Sequence, residues 1–475
     1  MSNTIKGNST TRIGLLLLGI LLVAIVAASQ TLLRGKRLDL TENQLYTLSD
    51  GTKDVLQDLA EPVNLYFFYS REQASQLGAL QTWGRRVEEL LLEMERAAGG
   101  KLNLQIIDPE PFSQQEDQAT VLGVEAVPIN NLGDSLYLGI AASNALDGVD
   151  VLPFLAPNEG PQLEYKVAKM IYQLGQLKKQ KVGILSTLPI EGELDEKTFK
   201  QAPGWLAIEQ LKELFDVEVM GPATTDLPND LDLLVMIHPA NLATNLLYEI
   251  DQFVLGGGNA LVFLDAHSEL AMAMGGGGLM NASAAEPISD LATLLPNWGA
   301  QLISEKIVAD TDYALGLQAG PGQPVEYNVT LLGLEADSIS EDDSVTAGLE
   351  RLNIGIAGAL APVEGSDIEF TPLLQTSKNS GLLDSYLIQP NSTPLMLSQS
   401  LTLDEQQHVL AARLRGIANT AFPKGRPQID GDNKPADRSD TQPLTVSAKP
   451  INVIAVSDTD MLTDRYWVQL RQGYG

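Results

Sequence analysis

Four side chains have the types and the placement to do chemistry: Ser186, His238, Asp265 and His267. They follow short apolar runs, residues 182–186, 231–237 and 260–264, that read as buried strands. In an open α/β sheet, ligands gather at the carboxyl ends of strands. Two imidazoles and a carboxylate at such an edge suit a metal ion or an acid–base pair. The spacing does not sharpen this. Neither histidine sits in an HExxH helix, and Ser186 lacks the Gly-x-Ser-x-Gly elbow of an activated nucleophile. The plainer alternative makes both histidines loop residues and Ser186 a turn cap. Asp458 and Asp460, after the last apolar run, could take up a cation or lie in a solvated turn. No catalytic residue, resident metal or cofactor is assigned, and the four side chains stand as ligand-binding candidates.

Phosphate chemistry has no cradle here. There is no GxxxxGK[ST] loop, so an ATPase working with this chain would be another polypeptide. The glycines at 256–258 close a helix, where a phosphate loop would open one. With no cysteine, thiolate nucleophiles, disulfides and Cys-based metal sites are excluded.

The candidate side chains need a sheet to hold them. From residue 161 to 475, apolar runs alternate with amphipathic helical stretches such as 205–215 and 242–255. That alternation predicts a doubly wound, mostly parallel α/β domain, Rossmann- or glutamine-amidotransferase-like, with helices on both faces. Further strands are expected at Ile307 and over 327–334, 352–359 and 451–457. Further helices are expected over 291–298, 403–414 and 461–472, with a Gly- and Met-rich loop at 271–287 and a linker at 422–447.

Residues 61–160 read differently. A strand at 63–69, a helix at 80–98 and a strand at 102–107 form a β-α-β unit. A short helix at 115–122, a Val127-Pro128 step and a hairpin over 129–142 follow. This order resembles a thioredoxin-like domain, in which the proline before the third strand is cis. The redox CxxC is absent, so only the scaffold would be shared.

Residues 13–33 form an almost wholly apolar run, long enough to cross a bilayer as one helix. The expectation is a short inner tail (1–12), one transmembrane helix (13–33) and a juxtamembrane segment (34–60). Leu45, Tyr46 and Leu48 in that segment are candidate contacts with the next domain or a partner. The 475 residues suffice for two or three cores, and the net charge of −30 argues against a nucleic-acid surface and against adhesion to anionic lipid.

At this point a resemblance appears. Residues 38–49 (LDLTENQLYTLS) and 61–63 (EPV) are similar to the opening of the GldG-like family, auxiliary subunits of ABC-type transport systems named for gliding motility. Residues 137–140 (YLGI), 151–154 (VLPF), 163–165 (LEY), 182–186 (VGILS), 250–257 (IDQFVLGG) and 453–458 (VIAVSD) agree as well. Where the family pattern has Asp-Pro after the glycine-led strand, this chain has Asp265-Ala266-His267. The resemblance implies a membrane-anchored, non-enzymatic accessory subunit partnered by a permease and an ATPase. It also implies an inner-membrane location with most of the chain in the periplasm. Members run on to a second membrane helix, which is not found before Gly475. Two rivals remain beside it: an anchored ligand-binding receptor, and a metal-dependent hydrolase using His238, Asp265 and His267. Self-association stays open.

Overall fold

A computed structural model describes residues 48–468, apart from 130–134, 147, 177–178, 193, 196–199, 202, 276–285, 319–321, 323 and 428–441. The chain divides into two compact units. Residues 48–57, 64–142 and 149–164 make the first; 58–63, 143–148 and 165–468 make the second.

The first unit opens with helix α1 (Asp50–Gln57). Strand β1 (Val63–Tyr69) alternates so that Leu65, Phe67 and Tyr69 face one way and Tyr66 and Phe68 the other. Helix α2 (Gly78–Ala97) covers the first face; its buried Trp83, Val87, Leu91 and Met94 recur at three- and four-residue steps. Gly84 of α2 lies flat on the Tyr69 ring. Strand β2 (Leu102–Ile107) follows, then helix α3 (Gln114–Val121), capped by the Ser113 hydroxyl accepting from the Glu116 N–H. On the second face, Phe68 clusters with Ala119 of α3, Val124 and Tyr137. The strand order is β2-β1-β4, with β3 (Ala126–Pro128) and β5 (Val149–Leu152) both pairing with β4 (Ser135–Ser143). No described peptide bond is cis, contrary to the expectation for Pro128. Pro128 instead continues an extended strand, opposite Ser135, and needs no reversal there.

Helix α4 (Leu163–Gly175) lies almost wholly in the second unit. The parallel strands of that unit are β6 (Lys181–Ser186), β7 (Asp216–Met220), β8 (Leu233–Ile237), β9 (Asn259–Phe263) and a late strand, Ile451–Val456. Helix α5 (Leu206–Leu214) connects β6 to β7, and α6 (Thr244–Leu255) connects β8 to β9. The two pack on opposite faces. Leu234 and Met236 share a core with Ile250, Val254 and Trp298, whereas Val235 and Ile237 share one with Ile208. Helix α7 (Glu269–Gly275) follows β9.

The sheet is mixed, which corrects the mostly parallel expectation. Strand β10 (Ala300–Leu302) pairs antiparallel with a strand at Leu360–Pro362. That strand and Glu369–Gln375 both pair antiparallel with Val409–Gly416, which is itself antiparallel to Ile451–Val456. The helix expected over 403–414 is instead irregular over 403–408 and a strand from Val409 on. Its run of Leu410, Ala411, Ala412 and Leu414 is buried on both faces, and for such a run periodicity does not separate strand from helix. The helix expected over 461–472 is a 3-10 turn (Asp460–Leu462) and one α-turn (Asp464–Trp467). The unit also holds a small three-stranded sheet (Ala314–Gln318, Val325–Glu335, Arg351–Ile354) and two two-stranded ones (Lys306–Asp310 with Ser380–Asp384, Leu194–Asp195 with Lys200–Gln201).

Among the described residues, no helix is long and apolar enough to cross a membrane. The longest, α2, is amphipathic and carries Arg85, Arg86, Glu88, Glu89, Glu93, Glu95 and Arg96. The span expected at 13–33 lies outside the described residues. The transmembrane helix in the expected fold, and the inner-membrane and periplasmic placement built on it, therefore find no support in any described helix.

Candidate functional site

Strands β6, β8, β9 and Ile451–Val456 are adjacent and parallel, so their carboxyl ends share one edge. The chain leaves β6 toward β7, then returns to lay β8 on the other side of β6. The topological switch therefore lies between Ser186 and His238, where a ligand crevice is expected in this architecture. The acidic groups collect farther along the edge, after β9 and the last strand.

His238 directly follows β8 and has φ of 51°, a left-handed conformation rare for a non-glycine residue. This turns its ring toward the neighbouring strand end. Nδ1 lies 2.6 Å from Asp265 Oδ2 and 3.1 Å from Ser289 Oγ, and Nε2 lies 2.7 Å from the Glu286 carbonyl oxygen. The Asp265 Oδ2 and the Glu286 carbonyl oxygen can both accept, so a proton on each ring nitrogen satisfies both. Burial alone would push the His238 pKa down. The hydrogen bond and charge of Asp265 outweigh it, and the net direction is up.

Asp265 is fully buried. Its Oδ1 accepts from the Thr459 N–H at 2.8 Å, and its own N–H donates to Ser289 Oγ at 2.8 Å. Asp458 accepts from the Gly355 N–H at 2.6 Å and the Asp460 N–H at 3.0 Å. Asp460 accepts from the Glu269 N–H at 3.0 Å. A Cβ on Gly355 would sit 3.0 Å from the Asp460 Cβ and 3.1 Å from Asp458 Oδ1, so glycine lets the backbone come this close.

One oxygen from each of Asp265, Asp458 and Asp460 lies within 4.8 Å of the others, and all three residues are buried. Burial and then the neighbouring carboxylates hold the Asp458 pKa well above the ordinary carboxylate range. Burial and then Asp265 raise that of Asp460 to about 7. Asp458 is thus held toward its protonated form at neutral pH, and Asp460 sits near its midpoint there. These three carboxylates are the residues that could hold a divalent cation. Four backbone N–H groups and His238 already bond their oxygens and supply balancing positive charge.

The other expected residues are placed as follows. His267 is 8% exposed; burial lowers its pKa, with Asp265 partly opposing, so it is neutral at pH 7. Ser186, 4% exposed, accepts from the Leu188 N–H at 3.0 Å and donates to the Leu188 carbonyl at 3.2 Å, within its own turn. The structure thus joins His238 to Asp265, while the Ser186 hydroxyl bonds within its own turn. Leu48 is buried, while Leu45 and Tyr46 lie outside the described residues. Ser289, the Glu286 carbonyl and Gly355 complete the cluster from loops that no motif marks. A cavity of about 250 Å³ opens beside Ser289, lined mainly by apolar groups such as Leu264, Ile288 and Leu295. As arranged, His238, Asp265, Asp458 and Asp460 bond loops to one another and are at most 2% exposed.

Fold and site together define a two-unit α/β protein whose strand-end polar groups are sealed. A family profile described as ABC-type uncharacterized transport system matches residues 179–475, more than half of the chain. The chain belongs to that family, as an auxiliary component of an ABC-type transport system, and the GldG-like resemblance is borne out. A second profile, of a domain of unknown function, matches residues 42–143. No curated protein matches the chain. Two solved structures overlap it weakly. An exo-β-1,4-mannosidase from Opitutaceae bacterium strain TAV5 is 11% identical at a TM-score of 0.24, over 82% of this chain and 46% of the mannosidase. The chain therefore spans less than half of that enzyme's length. A ThuA-like protein from Bacteroides uniformis ATCC 8492 is 12% identical at a TM-score of 0.23, over 47% of this chain and 90% of that one. Neither overlap bears on fold or chemistry.

Proposed function

We propose that this auxiliary component is non-enzymatic and acts by binding the permease and the ATPase of its transport system. Each of its α/β units would present a surface whose pose shifts with the transport cycle, since a partner that binds two states unequally biases their populations. In this reading residues 61–160 are a thioredoxin-like scaffold, a view supported by the order β2-β1-β4 with β5 beside β4. The observation that carries the proposal is the sealing of the strand-end groups. His238 and Asp265 are 0% exposed, Asp458 1% and Asp460 2%, and each bonds to protein. A hydrolase built on His238, Asp265 and His267 would need an oxygen or nitrogen open to substrate.

The test is purification of the tagged native protein in mild detergent with mass spectrometry of what accompanies it. Stoichiometric permease and ATPase are expected. A clean monomer or homodimer would overturn the proposal.

A further inference from the structure

Phe112 combines three features that rarely meet. Its side chain is fully exposed, at 102%. Its backbone φ is 61°, in the left-handed region that favours glycine. Hydrogen bonds hold the turn that imposes this. The Ser113 N–H donates to the Glu110 carbonyl at 3.1 Å, placing Pro111 second and Phe112 third in a four-residue turn. With proline second, a left-handed third residue is ordinarily glycine. The Phe112 N–H donates to Glu116 Oε2 at 2.6 Å, and Glu116 Oε1 accepts from the Tyr137 hydroxyl at 3.3 Å, tying the turn to the sheet. A bulky ring held in a glycine conformation and packed on nothing costs stability, and such strain concentrates at functional positions.

The surroundings state what would cover it. Residues 102–165 contain ten Asp and Glu and no Lys, Arg or His. The arginines of the first unit's helix α2 lie across the sheet, because α2 packs on the Phe67 and Tyr69 side and α3 on the Phe68 side. Val121, at the far end of α3, is 84% exposed. The turn and α3, with Asp108, Glu110, Glu116 and Asp117, are therefore acidic and carry an aromatic knob. An anionic bilayer and a nucleic acid are both repelled by that charge. Aromatic side chains seated in desolvated pockets dominate protein interfaces, and charge around them sets encounter and register.

We propose that Phe112 anchors a docking surface for an apolar pocket rimmed by Lys or Arg on the permease–ATPase assembly. The assignment rests on the transport-partner reading above. Glycine at position 112 separates a binding role from a structural one, since Phe112→Gly deletes the knob and relaxes the turn.

The experiment measures binding of the full chain, wild type and variants, to the purified cognate permease–ATPase assembly, beside thermal melts of each variant. Phe112→Gly should bind about thirtyfold more weakly, the loss typical of an aromatic anchor, while melting no lower than wild type. Phe112→Tyr should retain binding, and added salt should weaken the wild-type complex. Wild-type affinity in Phe112→Gly, or a complex indifferent to salt, would overturn this surface and leave the partner reading intact. Failure of the wild-type chain to bind at all would overturn both. A light-activated crosslinker at position 112 that captured a second copy of this chain would also overturn it.

Discussion

His238 Nδ1 and Asp265 Oδ2 lie 2.6 Å apart with both side chains wholly buried, joining the ends of two neighbouring parallel strands. The pair holds together the loop after β8, the loop after β9 and, through Glu286 and Ser289, the segment that closes over them. Removing one member strands the other. His238→Ala should destabilise the fold by about 3–5 kcal/mol, the usual penalty for leaving a buried charge unpaired. Urea titration of the full chain checks this. A variant within about 0.5 kcal/mol of wild type would show that the pair carries no structural weight.

The pH dependence has a definite sign. Asp460 titrates near 7 in the folded protein and near 4 when unfolded, so the folded state binds the extra proton between those values. Its share of stability is fully present at low pH and is lost as pH rises from about 4 through about 7. The raised His238 acts in the same direction: its share is present below about 6.5 and lost as pH climbs through its folded value. Asp460→Asn keeps an acceptor for the Glu269 N–H and abolishes the titration. It should flatten the decline and melt a few degrees above wild type at pH 8. Parallel pH profiles for the two proteins would contradict this.

On the acid side a different pair governs. Arg413 Nε and Nη2 grip the Asp343 carboxylate at 2.5 and 2.8 Å, and Nη1 donates to Asn452 Oδ1 at 2.6 Å. The Arg413 guanidinium holds the Asp343 pKa below its ordinary value. That contribution is present above about pH 4 and disappears as pH falls through the lowered folded value. Because both side chains keep slight exposure, 17% and 12%, Arg413→Ala should cost about 2 kcal/mol rather than the full buried-pair penalty. Equilibrium unfolding at pH 7 and pH 3 should show a smaller gap between variant and wild type at the lower pH.

Two glycines of one helix should respond oppositely to alanine. A Cβ on Gly84 would fall 2.4 Å from the Tyr69 ring, which is itself buried, so Gly84→Ala should cost about 1–3 kcal/mol. Gly78, at the start of the same helix, has open space around it, and Gly78→Ala should be neutral or stabilising by up to about 1 kcal/mol. Matched thermal melts of the two variants decide it, and equal effects would contradict the packing argument.

Much of the framework is local and was readable from residue order. The spacing of Trp83, Val87, Leu91 and Met94 reports one buried face of a helix, and the alternation in residues 63–69 reports a strand with two occupied faces. The apolar runs ending near Ser186, His238 and Asp265 likewise placed those residues at strand ends. Residues 403–414 went astray because a strand buried on both faces loses the alternation that distinguishes it from a helix.

By itself, then, the sequence determined composition, the periodic elements, the absence of thiol and P-loop chemistry, and the family blocks scattered from 38 to 458. Only tertiary structure decided that Asp265 meets Asp458 and Asp460, almost two hundred residues away, and that Gly355 and Ser289 bond to this cluster. Strand order sets those neighbours, and it is a property of pairing across the sheet that no local spacing encodes. Burial then decided the chemistry of Asp458 and Asp460, whose carboxyls would ionise freely in a solvated turn and hold protons to higher pH once water is removed.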